Sequence, residues 1–460
     1  MPERMQCTVR YSLTLTATFC LATGVVTPMD ANDLSELYKL AQTRDPALRA
    51  AKFQRDAVIE VRRRALSQWL PQLSANASLS ADLITGQGIG NSNGSSCGST
   101  TASSTKCSGF VQGLGLNLSQ TLWDYQAFHQ LKEASFLAAS AEATFRREEQ
   151  SLLLRVAQAY FAILSAADQL STNRSARDAF HILVEQAATR EQAGVGPRSD
   201  VEQARSFYDA TAEGVIDTQN ALDDAHLALA EIVGANAEHT APLRDDIPLT
   251  PPEPAVVDEW VAVARKNNFD VRAAELKLAA ASRDISAQRG RALPTVSLTG
   301  SVLKLSQSQA LGGNSRLDSI GVAINWPIFQ GGAVASAVRQ SRAQFGEAQA
   351  QYDATQRETE RQTRASFRGV VRGIERIQAA RRAVFSSKQA VEANRRNVEF
   401  GTGTEFDLLN AQNNYFAAQR AYSQSRYDFL TNLLILKQQA GSLSEHDLSE
   451  VDALLVEGGK

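Results

Sequence analysis

The sequence predicts a mainly α-helical protein with a β-barrel part: a duplicated chain with long coiled-coil helices and four transmembrane β-strands. Three observations support this prediction. Motifs from the first half of the chain recur in the second half at a nearly constant distance. Two segments of about 70 residues lack proline and carry a helical coiled-coil pattern. Four segments of about 10 residues alternate between apolar and small polar side chains.

The duplication is visible in short motifs. "GVGPRSDVEQA" begins at Gly194 and "GTGTEFDLLNA" at Gly401, 207 positions later. "LRAA" at Leu48 matches "VRAA" at Val271 at an offset of 223, which places extra residues in the first half. Each half is predicted to run helix, strand, loop, strand, very long helix, tight turn, helix. We expect a first repeat over 33–234, a proline-rich linker over 235–256, a second repeat over 257–441 and a C-terminal tail over 442–460.

The two long helices are predicted from Asp124 to Ala193 and from Ala333 to Phe400. The first segment contains neither glycine nor proline, and its apolar residues recur at alternating spacings of three and four. If it is continuous, its length is about 105 Å at 1.5 Å per residue. A return helix is predicted from Thr404 to Ala440. Helices of this length do not fit a compact domain, so the sequence predicts a rod or a tube.

The four strands are predicted to have one apolar and one polar face. Leucine and alanine alternate with serine and asparagine in "QLSANASLSADLI" (72–84) and similarly in "FVQGLGLNLSQTL" (110–122). Val296, Leu298 and Val302 continue the pattern, as does the stretch from Ile320 through Trp326 to Ile328. Such segments suit a barrel that faces lipid outside and water inside. An alternative is a small soluble sheet that caps a helical domain. Four strands cannot close a barrel alone, so several chains would have to share one.

The N-terminal segment and the composition of the chain indicate where the protein is located and which partners it binds. Residues 1–24 have the pattern of a secretory signal peptide, with an ordered N-terminal segment as the alternative. No later stretch of about 18 apolar residues predicts a transmembrane helix. The formal net charge of −3 disfavours nucleic acid as the partner. Cys97 and Cys107 lie in a loop rich in glycine, serine and threonine, where they form either a disulfide or two free thiols.

The motifs that carry a family resemblance are "LSQTLWD" (118–124), "VAQAYFAIL" (156–164), "AGVGPRSDVEQAR" (193–205), "NWPIFQGG" (325–332) and "FGTGTEFDLLNAQNNY" (400–415). Together they resemble the TolC family of outer-membrane channel proteins. The resemblance covers nearly everything from 33 to 442. It implies a homotrimer with a twelve-stranded barrel in the lipid of the outer membrane and a helical tunnel across the periplasm. It also implies docking through a periplasmic adaptor (membrane fusion) protein onto an inner-membrane ABC or RND transporter.

The resemblance also assigns roles to the two glycine turns. They become tips that contact the adaptor, formed by Gly194, Val195, Gly196, Gly401, Thr402 and Gly403. Asp200 and Asp407 match family aspartates near the periplasmic entrance, the gate of the channel. Asn410 stands where well-known members have another aspartate, which implies a less acidic lining. At Gly403 the family can place an arginine that holds the closed state, and this chain lacks it.

A purely structural role for the two aspartates is the alternative. Ser199 to Glu202 matches a helix capping box, and Thr404 to Asp407 resembles one. Acidic residues in the first turn are also favoured by the helix dipole. Both roles are compatible with each other.

No catalytic, nucleotide-binding or metal-binding motif is present in the sequence, so we expect neither enzymatic activity nor a cofactor. The sequence favours an exit duct for protein secretion of the type I kind, because Cys20 lacks a small residue before it for lipid attachment. Small-molecule efflux is the alternative. A structural coiled-coil or adhesion protein is a more remote one.

Overall fold

The protein repeats one order of helices and strands. The structure, a computed structural model, describes residues 33–86, 105–235, 240–307 and 314–456. The first set comprises α1 (Leu34–Arg44), α2 (Pro46–Ser67), β1 (Gln72–Gly86), β2 (Thr105–Trp123), α3 (Tyr125–Gln192) and α4 (Arg198–Val233). The second comprises α5 (Val257–Asn267), α6 (Phe269–Gly290), β3 (Thr295–Gln307), β4 (Ser315–Asn325), α7 (Ala333–Glu399) and α8 (Glu405–Gln439), followed by α9 (Glu445–Asp452).

Two sequence predictions fall wholly or partly outside the described residues. The signal peptide over 1–24 lies outside them. Cys97 also lies outside them, whereas Cys107 belongs to β2, where its backbone is opposite Ile84 of β1. The disulfide therefore stays a prediction.

The long helices α3 and α7 are continuous over 68 and 67 residues. At 1.5 Å per residue, each is about 100 Å long. Asp124 caps α3 by accepting a hydrogen bond from the amide of Ala127 at 3.0 Å. Both helices begin and end within one residue of the predicted bounds. Among the described helices, none combines the length and the apolar character that crossing a membrane requires.

The helices pack side by side in a single layer. Next to the sheet the order is α2, α3, α6, α7, and further away it is α4, α3, α8, α7. The largest apolar cluster lies where α1 and α9 pack on this layer, and it includes Leu34, Leu152, Leu436 and Leu448. A second cluster nearer the turns is built around Phe180, Leu409 and Phe416.

The segment between the repeats is partly packed into the larger cluster. Ala241, Leu243 and Ile247 are buried in it. The Tyr160 hydroxyl accepts a hydrogen bond from the Ala241 amide at 3.0 Å and lies 3.2 Å from its carbonyl oxygen, to which it donates. Leu243 also forms a β-bridge with Leu455. Burial raises the pKa of the Tyr160 hydroxyl, which keeps this donor protonated.

The four strands form one antiparallel sheet in the order β1, β2, β3, β4. The register places Leu73 opposite Leu118 and Leu298 opposite Val322, so these apolar residues share one face. Beyond Val302 the pattern inverts, because Lys304 and Arg316 lie on this face and Leu303 and Leu317 lie on the other. Ser301 lies opposite Ser319 on the other face, and their hydroxyls are 2.8 Å apart. This register confirms the two-faced pattern for the predicted segments up to Val302 in β3 and from Ile320 in β4.

One strand end differs from the sequence prediction. The alternation predicted a strand continuing to Trp326 and Ile328, but β4 ends at Asn325. Pro327 provides no backbone N–H and restricts the residue before it, so the ladder stops there. The Trp326 side chain instead donates to the Ala292 carbonyl at 3.2 Å.

Candidate channel entrance and membrane surface

The two glycine turns have the same geometry. α3 ends and reverses through Gly194 at φ 72°, and α7 does so through Gly401 at φ 71°. The amides of Gly194 and Val195 donate to Glu191 and Arg190, at 2.9 and 3.0 Å. The amides of Gly401 and Thr402 bond Val398 and Asn397 in the same way, at 3.1 and 2.8 Å. Each turn is a Schellman motif, which requires a left-handed residue where glycine stands.

The second glycine of each turn has a different role. Neither Gly196 nor Gly403 has a positive φ, but both lie against the helix that has just ended. A Cβ at Gly403 would lie 2.8 Å from the Cβ of Asn397, and one at Gly196 would lie 3.0 Å from the Cβ of Arg190. The first glycine thus supplies the backbone angle, and the second lets the chain pass close to the helix.

The side chains at the turns face solvent. Val195 is 77% exposed and Phe400 is 79% exposed. The Thr402 hydroxyl donates to the Asn397 carbonyl at 3.2 Å, which fixes the second turn further. Exposed apolar residues on two rigid turns form a surface suited to contact with another protein.

Asp407 and Asn410 lie in the first two turns of α8, where Asp407 is exposed and Asn410 is half-buried. Thr404 caps this helix by accepting from the Asp407 amide at 3.1 Å, and its hydroxyl donates to the Asp407 carboxylate at 2.6 Å. The Asn410 side chain donates to the Phe406 carbonyl at 2.9 Å. Asp407 therefore supports the start of its helix and still presents its carboxylate to solvent.

Asp200 is placed differently, and the capping box predicted from Ser199 to Glu202 is wrong. The helix α4 begins two residues earlier than that pattern requires, with Pro197 at the capping position. Proline is preset to a φ near −65°, which is compatible with starting a helix at the following residue. Ser199 consequently lies inside the helix. Asp200 stays in the first turn, where the helix dipole favours it.

An ion pair that sequence reasoning missed connects the two turns. Arg190 near the end of α3 bonds through its Nη1 to Glu405 at the start of α8. Glu405 is only 4% exposed, and its Oε1 has no hydrogen-bond partner among the described residues. These residues are 215 positions apart, and no local pattern links them. Among the described residues, no hydrogen bond or ion pair joins Asp200 to Asp407.

A polar cluster between α3 and α8 was also missed. The Asp168 carboxylate accepts from the Tyr427 hydroxyl at 2.8 Å, from Arg426 at 3.3 Å and from the Ser423 hydroxyl. Burial raises the pKa of Tyr427, and the neighbouring Asp168 charge raises it further. The cluster therefore holds the two helices together with charge-assisted hydrogen bonds.

The sheet presents an apolar face that nothing in the described chain covers. Ile320 is 80% exposed and Ile324 is 70% exposed on this face of β4. The opposite face carries polar side chains, where Asn117 donates to Asn76 at 2.9 Å. β1 and β4 each have one edge that no other described strand pairs with. A large apolar face with open edges is unfavourable in water and suits a lipid environment once the edges are paired.

The described residues contain no group of histidine, cysteine and carboxylate side chains that could hold a metal ion.

The chain matches the family model described as outer membrane efflux protein over residues 37–235 and 260–442. It belongs to the outer membrane efflux protein family.

Members of this family are channel proteins of the outer membrane, and this chain is one of them, with a long helical part in the periplasm. It is 29% identical over 441 residues to outer membrane protein TolC of Salmonella enteritidis. The aligned region covers 94% of this chain and 86% of that protein. It is 28% identical to the alkaline protease secretion protein AprF of Pseudomonas aeruginosa, over 75% of this chain and 72% of that protein.

The fold is also similar to solved channel structures. The outer-membrane channel OprN has a TM-score of 0.75 and 22% identity, covering 89% of this chain and 90% of that one. This similarity, at 22% identity, shows that the two proteins share a fold.

Proposed function

We propose that this protein is the exit duct of a tripartite export system. It works as a homotrimer in which three four-stranded sheets close one twelve-stranded barrel in outer-membrane lipid. The long helices of the three chains form a tunnel that leads from a periplasmic adaptor and an inner-membrane pump to the exterior. Energy comes from the pump, because the sequence contains no nucleotide-binding motif.

The observation that carries this proposal is the uncovered sheet attached to helices of about 100 Å. Its apolar face requires lipid, and its two open edges require pairing with further strands. β1 of one chain and β4 of another offer antiparallel partners of the same kind as the three pairings inside the sheet. The polar face then lines an aqueous lumen.

We propose that the cargo is a polypeptide and that it is exported by type I secretion. AprF, a relative over most of the chain, is named for alkaline protease secretion. Efflux of small molecules is the second candidate, favoured by the description of the family itself. Expression in a strain that lacks its own duct separates the two. Secreted polypeptide in the medium supports the first assignment, whereas restored drug resistance without secretion supports the second.

The channel itself is tested in planar lipid bilayers. Purified protein should insert and give discrete conductance steps. Correctly folded protein that stays soluble without detergent and gives no steps would contradict the proposal.

The entrance assignment is tested by replacing Asp200 and Asp407 together with alanine. If these carboxylates help close the periplasmic end, the double variant should conduct more than the wild type in the same bilayers. Glu191→Gln, an exposed change near the end of α3, is the control and should leave the conductance unchanged. Equal conductance of correctly assembled double variant and wild type would reject the gate role of the two aspartates.

A further inference from the structure

The layer of helices has two free edges in the part nearest the turns. α4 lies at one end of the row and α7 at the other, with α3 and α8 between them. In a ring of identical chains, the α4 edge of one copy meets the α7 edge of the next. These two edges have opposite charge.

The α4 edge is acidic. The helix carries eight aspartates and glutamates against two arginines. Asp217, Asp224 and Glu231 follow at seven-residue intervals and are exposed on the side away from the buried Leu229. Seven residues are about two helical turns, so these carboxylates form one stripe that points away from the chain's own core.

The α7 edge is basic at the same distance from the turns. Residues 368–399 contain eight arginines and lysines against three glutamates. Arg368, Arg372 and Arg382 are exposed on the side away from the buried Val370 and Ile377, and Glu375 shares that side. None of the three arginines has a carboxylate within ion-pair distance among the described residues, whereas the neighbouring Arg376 pairs with Asp428 inside the chain.

Contacts across the row determine which positions lie level. Asn173 of α3 donates to the Gly214 carbonyl of α4 at 3.1 Å and accepts from Arg420 of α8 at 3.1 Å. Arg376 of α7 bonds to Asp428 of α8 at 3.1 Å. Arg420 precedes Asp428 by eight positions, so in these antiparallel helices it lies level with position 384 of α7. Position 384 of α7 is therefore level with the turn of α4 near 216.

The charges and the apolar residues then match in height. α4 and α7 run in opposite directions, so Asp217 lies level with Arg382 and Glu231 with Arg368. Asp224 lies level with position 376, between Glu375 and Arg376, and one turn away from Arg372. Two exposed apolar residues of α4 find exposed apolar counterparts on α7. These are Ile216 with Phe385, which are 63% and 67% exposed, and Leu227 with Val371.

We infer that the α4 edge of one copy packs against the α7 edge of the next, through ion pairs between carboxylates and arginines that alternate with apolar contacts. This interface between neighbouring copies is called the seam. The inference rests on the proposed homotrimer and specifies how its helical part closes. Two α4 edges or two α7 edges would repel each other, so the charges also select a head-to-tail ring over a symmetric dimer.

Matched cysteine pairs test the register of this seam. In a background with Cys97→Ser and Cys107→Ser, we would combine Ile216→Cys with Phe385→Cys, and Leu227→Cys with Val371→Cys. The swapped pairs, 216 with 371 and 227 with 385, are the controls. Their positions on α7 differ by 14 residues, about 21 Å along the helix. After mild oxidation with copper phenanthroline, only the matched pairs should give dimers and trimers on a non-reducing gel.

The outcomes separate this inference from the proposed function. Trimers by native mass that do not cross-link at the matched pairs, or that cross-link equally at the swapped pairs, overturn the seam and leave the trimer in place. A wild-type protein that is not an oligomer overturns both.

Charge reversal tests the electrostatic part. Replacing Asp217 and Glu231 with lysine should lower the temperature at which the trimer dissociates on a gel. Adding Arg382→Glu and Arg368→Glu should restore it. Loss of stability in the first variant without recovery in the second would contradict complementary pairing, since a folding defect alone is not repaired by changing the other edge.

Discussion

Arg190 and Glu405 join the ends of two helices through one ion pair. Glu405 is nearly fully buried, and one of its oxygens has no hydrogen-bond partner within the described parts of the chain even though Arg190 is present. Burial of a carboxylate is unfavourable unless it is paired. The pair therefore acts mainly by holding the end of α3 against the start of α8. Its net contribution to the free energy of unfolding is small.

Removing only one partner should be more harmful than removing both. We expect Arg190→Met to destabilise the protein by about 1–3 kcal/mol, the cost of leaving a buried polar group unpaired. The double variant Arg190→Met/Glu405→Leu should recover most of this loss. Thermal unfolding of the four members of this cycle checks it, and additive effects of the two changes would contradict coupling through the pair.

Glu133 on α3 links stability to pH. Burial, together with the charge of the nearby Asp284, raises the pKa of its carboxyl to about 7. A raised carboxyl pKa stabilises the folded state while the group is protonated. This contribution is fully present below the ordinary value of 4.5 and is lost as the pH rises through about 7.

Glu133→Gln should therefore stabilise the protein at pH 8 and change little at pH 4. The gain is on the order of 1 kcal/mol, because solvent screens the partly buried group. Melting curves of variant and wild type across this pH range provide the measurement. Glu191→Gln is the control, and an equal effect of Glu133→Gln at both ends of the range would refute the raised pKa.

At the scale of elements, the two glycine turns set the shape of the exposed tips. Their backbones require one glycine for a positive φ and another for close approach to the preceding helix. Replacement at both positions distorts the turn, whereas the helices that lead to it keep their own hydrogen bonds.

Gly401→Val combined with Gly403→Val should weaken binding of the periplasmic adaptor by about tenfold or more, equivalent to about 1.4 kcal/mol. Titration calorimetry with the purified adaptor measures this change. Gly346→Val is a suitable control, since a Cβ there would meet no described atom within 4 Å beyond its own stretch of helix, and the site is far along α7 from the turn. An affinity equal to that of the wild type would argue against a docking role of the second turn.

The helices and strands were largely predictable because their signals are local. The absence of glycine and proline predicted α3 nearly to the residue, and the period-two alternation predicted both faces of the sheet. Local signals failed where neighbouring residues competed, as at Pro327, which ends β4, and at Pro197, which starts α4 before Ser199.

The interactions that link distant elements were not predictable in this way. Glu405 carries no sign of its burial in the sequence, because its burial depends on α3 lying beside α8. The Asp168 cluster has the same origin, with partners more than 250 positions away. Tertiary packing creates these contacts, so a single sequence does not contain a pattern for them.

At the scale of the molecule, the described part of the chain has a layer of long helices and a sheet with two open edges and one uncovered apolar face. The sheet needs lipid on one face and further strands at its edges. The helical layer needs partners at its acidic and basic edges. The proposed ring of copies would meet both requirements and would connect the membrane part to the periplasmic part.

The most direct test of this account is the native mass of the protein released from lipid nanodiscs. The account predicts a complex of three copies of the 49.8 kDa chain, less any cleaved leader. A single copy or a pair would contradict it, because four or eight strands would leave the proposed twelve-stranded barrel incomplete.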